Sequence, residues 1–295
     1  MDGPTVGALT TRLAETTRLA ETTRLTETTR TPPTTPPPMS ARPYVLAETA
    51  WPALSDAGVT VAVLPWGATE PHNFHLPHGT DTYQSDALAA EGARRAWERG
   101  AKAMVLPTVP FGCQTGQRDL SFAPGLLPST QQAILRDLAH DLERRGVAHL
   151  VLFNGHGGNE FRAMLRELQP GLRLHLLLVN WYALPGLNDL FDEAGDHAGE
   201  LETSVMLHLR PDLVRPLDEA GPGTEHLPHI PAMRSRWAWA PRPWTEITDD
   251  TGVGNPKAAA AAKGAAALDA VAEALADLLV ALDATPRDRL YRPSD

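Results

Sequence analysis

Two short stretches of this 295-residue chain gather side chains that bind divalent cations. The first reads Gly67-Ala-Thr-Glu70-Pro-His72-Asn-Phe-His75-Leu-Pro-His78-Gly-Thr-Asp81, and the second reads Asn154-Gly-His156-Gly-Gly-Asn159. His197 and Glu202 follow farther along. Oxygen and imidazole donors without thiolate suit Zn²⁺, Mn²⁺ or Fe²⁺ and argue against soft-metal or iron–sulfur chemistry. Glu70 and His72 are separated by one residue, which in an extended segment points both to the same side, where they can serve adjacent ions. Asp81 has two carboxylate oxygens and can bridge such ions, although an Asp at this place also reads as a helix N-cap. A loop His is more often a surface or hydrogen-bonded residue, and for His75 and His78 taken singly that reading stays open. A dinucleotide loop at Gly155, Gly157 and Gly158 fails because the next glycine of that motif falls on Glu160.

Ligands need elements to hold them, and from Val59 onward the chain alternates regularly. Apolar, β-branched runs at Val59–Pro65, Ala103–Pro107, Ala148–Phe153 and Leu172–Val179 predict strands. Between them lie helical patterns: about Thr82 to Arg99, closed by Gly100; one N-capped by Ser129 and stopped at Gly146; and one from Asn159 to Pro170. Asn255-Pro256 reads as N-cap and first residue of an Ala-rich helix running to about residue 282. This rhythm predicts an α/β fold with parallel strands, right-handed crossovers and helices on both faces of the sheet. Ligands of open parallel sheets bind beyond the carboxyl ends of the strands, which is where both ligand-rich loops fall. Trp181 and Tyr182 follow the fourth strand and are expected to wall the pocket, with a core role for Trp181 equally open. The irregular segment from His226 to Asp249, with Trp237, Trp239 and Trp244, is expected to cap the pocket or a subunit interface, because exposed Trp residues need a burial partner.

Composition narrows the partners. Net charge is −10, and in the first 38 residues Asp2, Glu15, Glu21 and Glu27 cancel Arg12, Arg18, Arg24 and Arg30, so the remainder is acidic. An acidic body repels phosphate backbones and anionic lipid, excluding nucleic acid and membranes as partners. No apolar run approaches the roughly 20 residues that span a bilayer. The N-terminus lacks a secretory layout and Cys113 is the single cysteine, which together predict a cytoplasmic setting. Residues 10 to 30 repeat a six-residue unit and 31 to 38 are only Thr and Pro. This composition predicts a disordered tail over 1–38, a native start at Met39 and one domain over 39–295.

The runs Glu70-x-His72-x-x-His75-Leu-Pro-x-x-x-Asp81, Asn154-Gly-His156-Gly-Gly-Asn159 and His197-Ala-Gly-x-x-Glu202-Thr-Ser resemble, in order, the three signatures of the creatininase family, over about residues 44 to 285. The resemblance implies a three-layer α/β/α sandwich, commonly assembled into hexamers, and two divalent ions per chain (Zn, Mn or Fe). It makes Glu70, His72, Asp81 and His156 metal ligands, with Asp81 bridging, and His197 the proton-transfer histidine. It implies hydrolysis of a C–N amide bond in a small substrate, for which Trp181, Tyr182 and His75 are the candidate contacts. In that chemistry the ions lower the pKa of a shared water and polarise the carbonyl, and His197 protonates the departing nitrogen. Two departures stand out. Creatininase has a ligating Glu where this chain has Gly158, which makes Glu202, rather than Glu200, the expected replacement. Its substrate-contacting Tyr is Gly157 here, so creatinine is not the expected substrate. The family also contains formamide hydrolases, a peptide-maturing protease and hydrolases of oxidised inositols. Other classes to weigh are a degenerate metal-binding protein without turnover and a metal-free sugar- or nucleotide-binding module.

Overall fold

A computed structural model describes residues 42–54, 57–193 and 195–291. The expected tail over 1–38 and the start at Met39 lie outside the described residues. Strands β1 (Val61–Trp66), β2 (Ala103–Val105), β3 (His149–Asn154) and β4 (His175–Asn180) form a parallel sheet in the order β2-β1-β3-β4. Val61 lies opposite Ala103 on one side and His149 on the other, and His149 lies opposite His175. Because side chains alternate along a strand, Val61 and Val63 join Val151 and Phe153 in one core, while Ala62, Leu64 and Trp66 join Leu150 and Leu152 in another. Helices α1 (Thr80–Glu98), α4 (Glu200–Leu209) and α5 (Ala261–Ala284) cover the first core. Helices α2 (Pro128–Arg144) and α3 (Phe161–Leu168) cover the second. The result is the three-layer sandwich expected, and burial on both faces explains why the strands read as continuous apolar runs. A two-stranded antiparallel ribbon, β5 (Gly195–His197) with β6 (Val253–Gly254), stands apart from the sheet.

Helix starts depart from the sequence expectation. Helix α1 starts at Thr80, so Asp81 lies inside the first turn and Gly79 holds the cap position. Helix α2 starts at Pro128 with Leu127 as cap, leaving Ser129 inside the turn. Asn159 precedes α3 because its side chain is committed elsewhere, accepting from the Cys113 N–H at 2.9 Å and from Gln131 at 2.8 Å. Asn255 accepts from the Lys257 N–H at 3.2 Å in a separate turn, and α5 begins only at Ala261. Gly100 and Gly146 do end their helices, at φ +93° and +85°.

Candidate metal centre

Strand order places the switch point between β1 and β3, and the loops that leave those two strands meet there. Gly67, just after β1, allows the loop to pass against the first turn of α1, since a Cβ there would lie 2.6 Å from the Thr82 nitrogen. The loop folds back through a Glu70 N–H to His78 carbonyl bond of 3.1 Å, with Asn73 at φ +55° in a conformation that Asn tolerates. Asn73 also ties this loop to Gly221, donating to its carbonyl at 3.1 Å and accepting from its N–H at 2.9 Å. After β3, Asn154 and Asn159 bracket His156. Asn154 accepts from the His156 N–H at 3.2 Å, donates to its carbonyl at 3.0 Å and accepts from the Asn159 amide at 2.9 Å.

The loops bring together three overlapping donor groups: Glu70 with Asp81 and His156, His72 with Asp81 and Glu202, and Glu70 with His72 and His197. Within each group one ligand atom per residue lies within 4.8 Å of the others. Asp81 Oδ1 is 3.0 Å from His72 Nε2 and Asp81 Oδ2 is 3.2 Å from His156 Nδ1. Glu70 Oε1 is 2.8 Å from His156 Nδ1, and Glu202 Oε2 is 3.9 Å from His72 Nε2. The opposite nitrogen of each imidazole is tied to a backbone carbonyl: His72 Nδ1 to Glu70 at 2.9 Å, His156 Nε2 to Cys113 at 3.2 Å and His197 Nε2 to Pro71 at 2.8 Å. Each ring therefore donates outward and turns its second nitrogen to the carboxylates, as metal-binding histidines do. Glu70 Oε1 and Asp81 Oδ2 are buried and both face the His156 Nδ1, so the residues fit a cation that these atoms would share.

Electrostatics agree with this reading. Burial disfavours charge on His72, but Asp81 beside it outweighs burial and pushes the imidazole up to about 10. His156 is raised in the same way, against its burial, by Glu70 and Asp81. Glu70 and Asp81 are held low despite burial, chiefly by His156 and His72 respectively. Glu202 is pushed up to about 7 by burial. His197 is lowered by burial and by His72, whose ring lies 4.2 Å from its own.

Other expected residues fall elsewhere. Glu200 turns away from the cluster, accepting from the Asp192 and Glu193 N–H groups at 2.9 and 2.7 Å and pairing with Lys263. The His75 ring is fully buried and bonded to the Thr203 hydroxyl at 2.8 Å, with burial lowering it to about 4, so it packs rather than lining an open face. Trp181 lies in the core against β3 and α5. Tyr182 is pushed up to about 12 by burial and by the neighbouring Asp196 and Asp81. Of the Trp-rich segment, Trp244 packs edge-on to His197 at 4.8 Å, whereas Trp237 and Trp239 are 87% and 82% exposed. The patterns of the sequence did not point to Gln117, whose amide donates to Glu70 Oε2; no ligand-type signal marks it.

A parallel sheet with a carboxylate–imidazole cluster at its switch point defines an α/β protein built around a metal centre. More narrowly, the chain belongs to the creatininase family, whose profile, described as creatinine amidohydrolase, matches residues 47–279. It is 30% identical to creatinine amidohydrolase of Pseudomonas putida over 54% of this chain and 67% of the relative. It is 32% identical to the mycofactocin precursor peptide peptidase of Mycobacterium tuberculosis over 68% of this chain and 77% of the relative. A solved structure from Bacteroides fragilis, provisionally described as a creatinine amidohydrolase, is 39% identical with a TM-score of 0.79, covering 85% of this chain and 99% of its own. Two creatininase structures, a variant of Zn-Zn type and an Mn form, are each 25% identical, with TM-scores of 0.67 and 0.66. Both cover 82% of this chain and 99% of their own.

Proposed function

We propose that this chain hydrolyses a C–N amide bond of a small substrate at a centre of two divalent ions, Zn, Mn or Fe. One would be held by Glu70, Asp81 and His156 and the other by His72, Asp81 and Glu202. The observation that carries this reading is Asp81, whose two oxygens face His156 and His72 separately, so that one carboxylate belongs to two donor groups. The Zn-Zn and Mn forms of related creatininases support the choice of metals. Bound there, such ions polarise a carbonyl and lower the pKa of water. The chain's own residues supply proton transfer and orientation. His197, kept neutral by burial with its Nε2–H committed to the Pro71 carbonyl, offers the Nδ1 lone pair to a proton and can return that proton to the departing nitrogen. Trp244 packs edge-on against that ring, and Tyr182, following β4, is the candidate wall of the pocket.

Similarity to the mycofactocin peptidases favours a second reading, in which the amide is a peptide bond. Creatinine itself fits poorly, since Gly157 has only open space where creatininase carries Tyr. No described helix is long and apolar enough to cross a membrane. Exposed Trp237 and Trp239 are the surface that a homo-oligomer would bury. Metal analysis tests the central claim. The purified chain should carry close to two ions, and His72→Ala and His156→Ala should each lower that number without unfolding the sheet. Full occupancy in both variants removes these residues from the centre, and a single inert ion favours a binder without turnover.

A further inference from the structure

The loop after β2 closes on itself, with the Leu126 N–H donating to the Gly112 carbonyl at 2.8 Å. Gln114, also buried, fastens its base, the side-chain amide donating to the Thr69 carbonyl at 3.0 Å and to the Pro124 carbonyl at 2.9 Å. The first of these bonds ends next to Glu70. Within the loop, a 3-10 turn over Thr115–Gln117 carries Gln117 inward, where it is 1% exposed. Its Nε2 donates to Glu70 Oε2, and its Oε1 is buried without a partner.

Chemistry fixes that orientation, because the reversed amide would set a carbonyl oxygen against a carboxylate. The two oxygens of Glu70 therefore differ. Oε2 is engaged by Gln117, whereas Oε1 faces His156 Nδ1 and lies 3.7 Å from His197 Nδ1. The buried Gln117 amide thus gives its donor to a carboxylate of the donor cluster, from a loop that Gln114 anchors next to that carboxylate.

We infer that Gln117 is a positioning residue of the metal centre. Its N–H holds Glu70 to contact through a single oxygen, so that a coordination position stays open for substrate. This rests on the reading of Glu70 as a ligand. Without the Gln117 donor, Oε2 is free to swing to the cation that Oε1 serves, giving a two-oxygen chelate that fills the open position. Hydrolytic metal sites keep such a position free.

The test uses the full chain loaded with Co²⁺ as a spectroscopic probe, in wild type and in Gln117→Met and Gln117→Leu, which fill the same space without a donor. Both variants are expected to keep the wild-type far-ultraviolet circular dichroism and to bind Co²⁺. They should show weaker visible absorption, because Co²⁺ of higher coordination number absorbs less than the four-coordinate ion. At saturating metal, kcat/KM on any substrate the wild type turns over should fall about 10- to 100-fold, the scale for losing a partner of a metal ligand. A wild-type Co²⁺ spectrum in a folded variant overturns the inference. So does failure of both variants to fold, which would make Gln117 a core residue. If the wild type itself binds no Co²⁺, the metal centre fails first, and that result is distinct from the other two.

Discussion

His72 and His156 sit so close to Asp81 and Glu70 that, in the metal-free protein, both imidazoles are driven towards their protonated forms. His72 is pushed up to about 10 by Asp81 after burial is overcome, and Glu202 up to about 7 by burial. Ligands must be deprotonated, so metal uptake near neutral pH must expel protons. The two states then respond oppositely to pH. A His whose folded value is raised stabilises the metal-free fold fully below its ordinary value of about 6.5 and loses that stabilisation as pH rises towards about 10. Metal affinity should rise over the same window. Calorimetry of Zn²⁺ binding in buffers of different ionisation enthalpy should report protons released, and melting of the metal-free protein should fall from pH 6.5 to 10. Proton-neutral binding would contradict the arrangement. At the same scale Glu202 and Glu200 separate cleanly. Glu202 accepts from the Ala198 N–H and also faces His72, while Glu200 pairs with Lys263 and two loop amides. Glu202→Gln preserves an acceptor for Ala198, so it should lose one ion and nearly all turnover while keeping the fold and the ion at Glu70, Asp81 and His156. Glu200→Gln should keep both ions and lower the melting temperature. Two ions in Glu202→Gln would exclude this carboxylate.

Elements decide which departures from the family pattern the chain can absorb. Gly157 and Gly158 follow β3 side by side, yet a Cβ on Gly157 meets nothing within 4 Å, whereas one on Gly158 would run into the Cys113 carbonyl and the His156 ring. The Cys113 carbonyl of the loop after β2 and the His156 ring fill the room that a side chain at position 158 would need, so a carboxylate cannot be placed there by substitution alone. Gly157→Ala should leave melting and metal content unchanged. Gly158→Ala should displace His156 and lower both, and equal behaviour of the two variants would refute the packing argument. The same contrast shows what was legible in sequence. Strand periodicity and ligand spacing are local, so the strands were legible to within a few residues, and the three-layer order followed from their alternation with helices. Helix starts were less legible, because Asn159 and Asn255 are good caps by type, yet Asn159 is engaged by Cys113 and Gln131 and Asn255 closes a local turn ahead of its helix. Gln117 left no trace, since a glutamine in a loop becomes informative only when folding carries it 47 positions back to Glu70.

Across the whole molecule, the two carboxylates that would share the second ion come from the first turns of different helices, Asp81 on α1 and Glu202 on α4. Helix N-termini favour negative charge, but nothing local fixes the spacing between them. Helix α5 does so from behind, packing against both. Its Leu275 fills the space over Gly92 of α1, and its own Gly264 lies so close to Ser204 of α4 that a Cβ would overlap the Ser204 carbonyl. Ser204 is two residues from Glu202, so the separation of α4 from α5 is passed directly to the ligand. Gly264→Ala should push α4 outward. Overpacking of this kind costs about 1–3 kcal/mol, or about 2–4 °C of melting temperature for each kcal/mol in a domain of this size. Affinity for the second ion should fall more than affinity for the first, because Glu70 and His156 stand on loops that α5 does not carry. The sign is decisive, since Gly→Ala inside a helix ordinarily stabilises by about 1 kcal/mol through helix propensity alone. A Gly264→Ala chain that melts higher than wild type and binds two ions with unchanged affinity would show that α5 does not set the geometry of the centre.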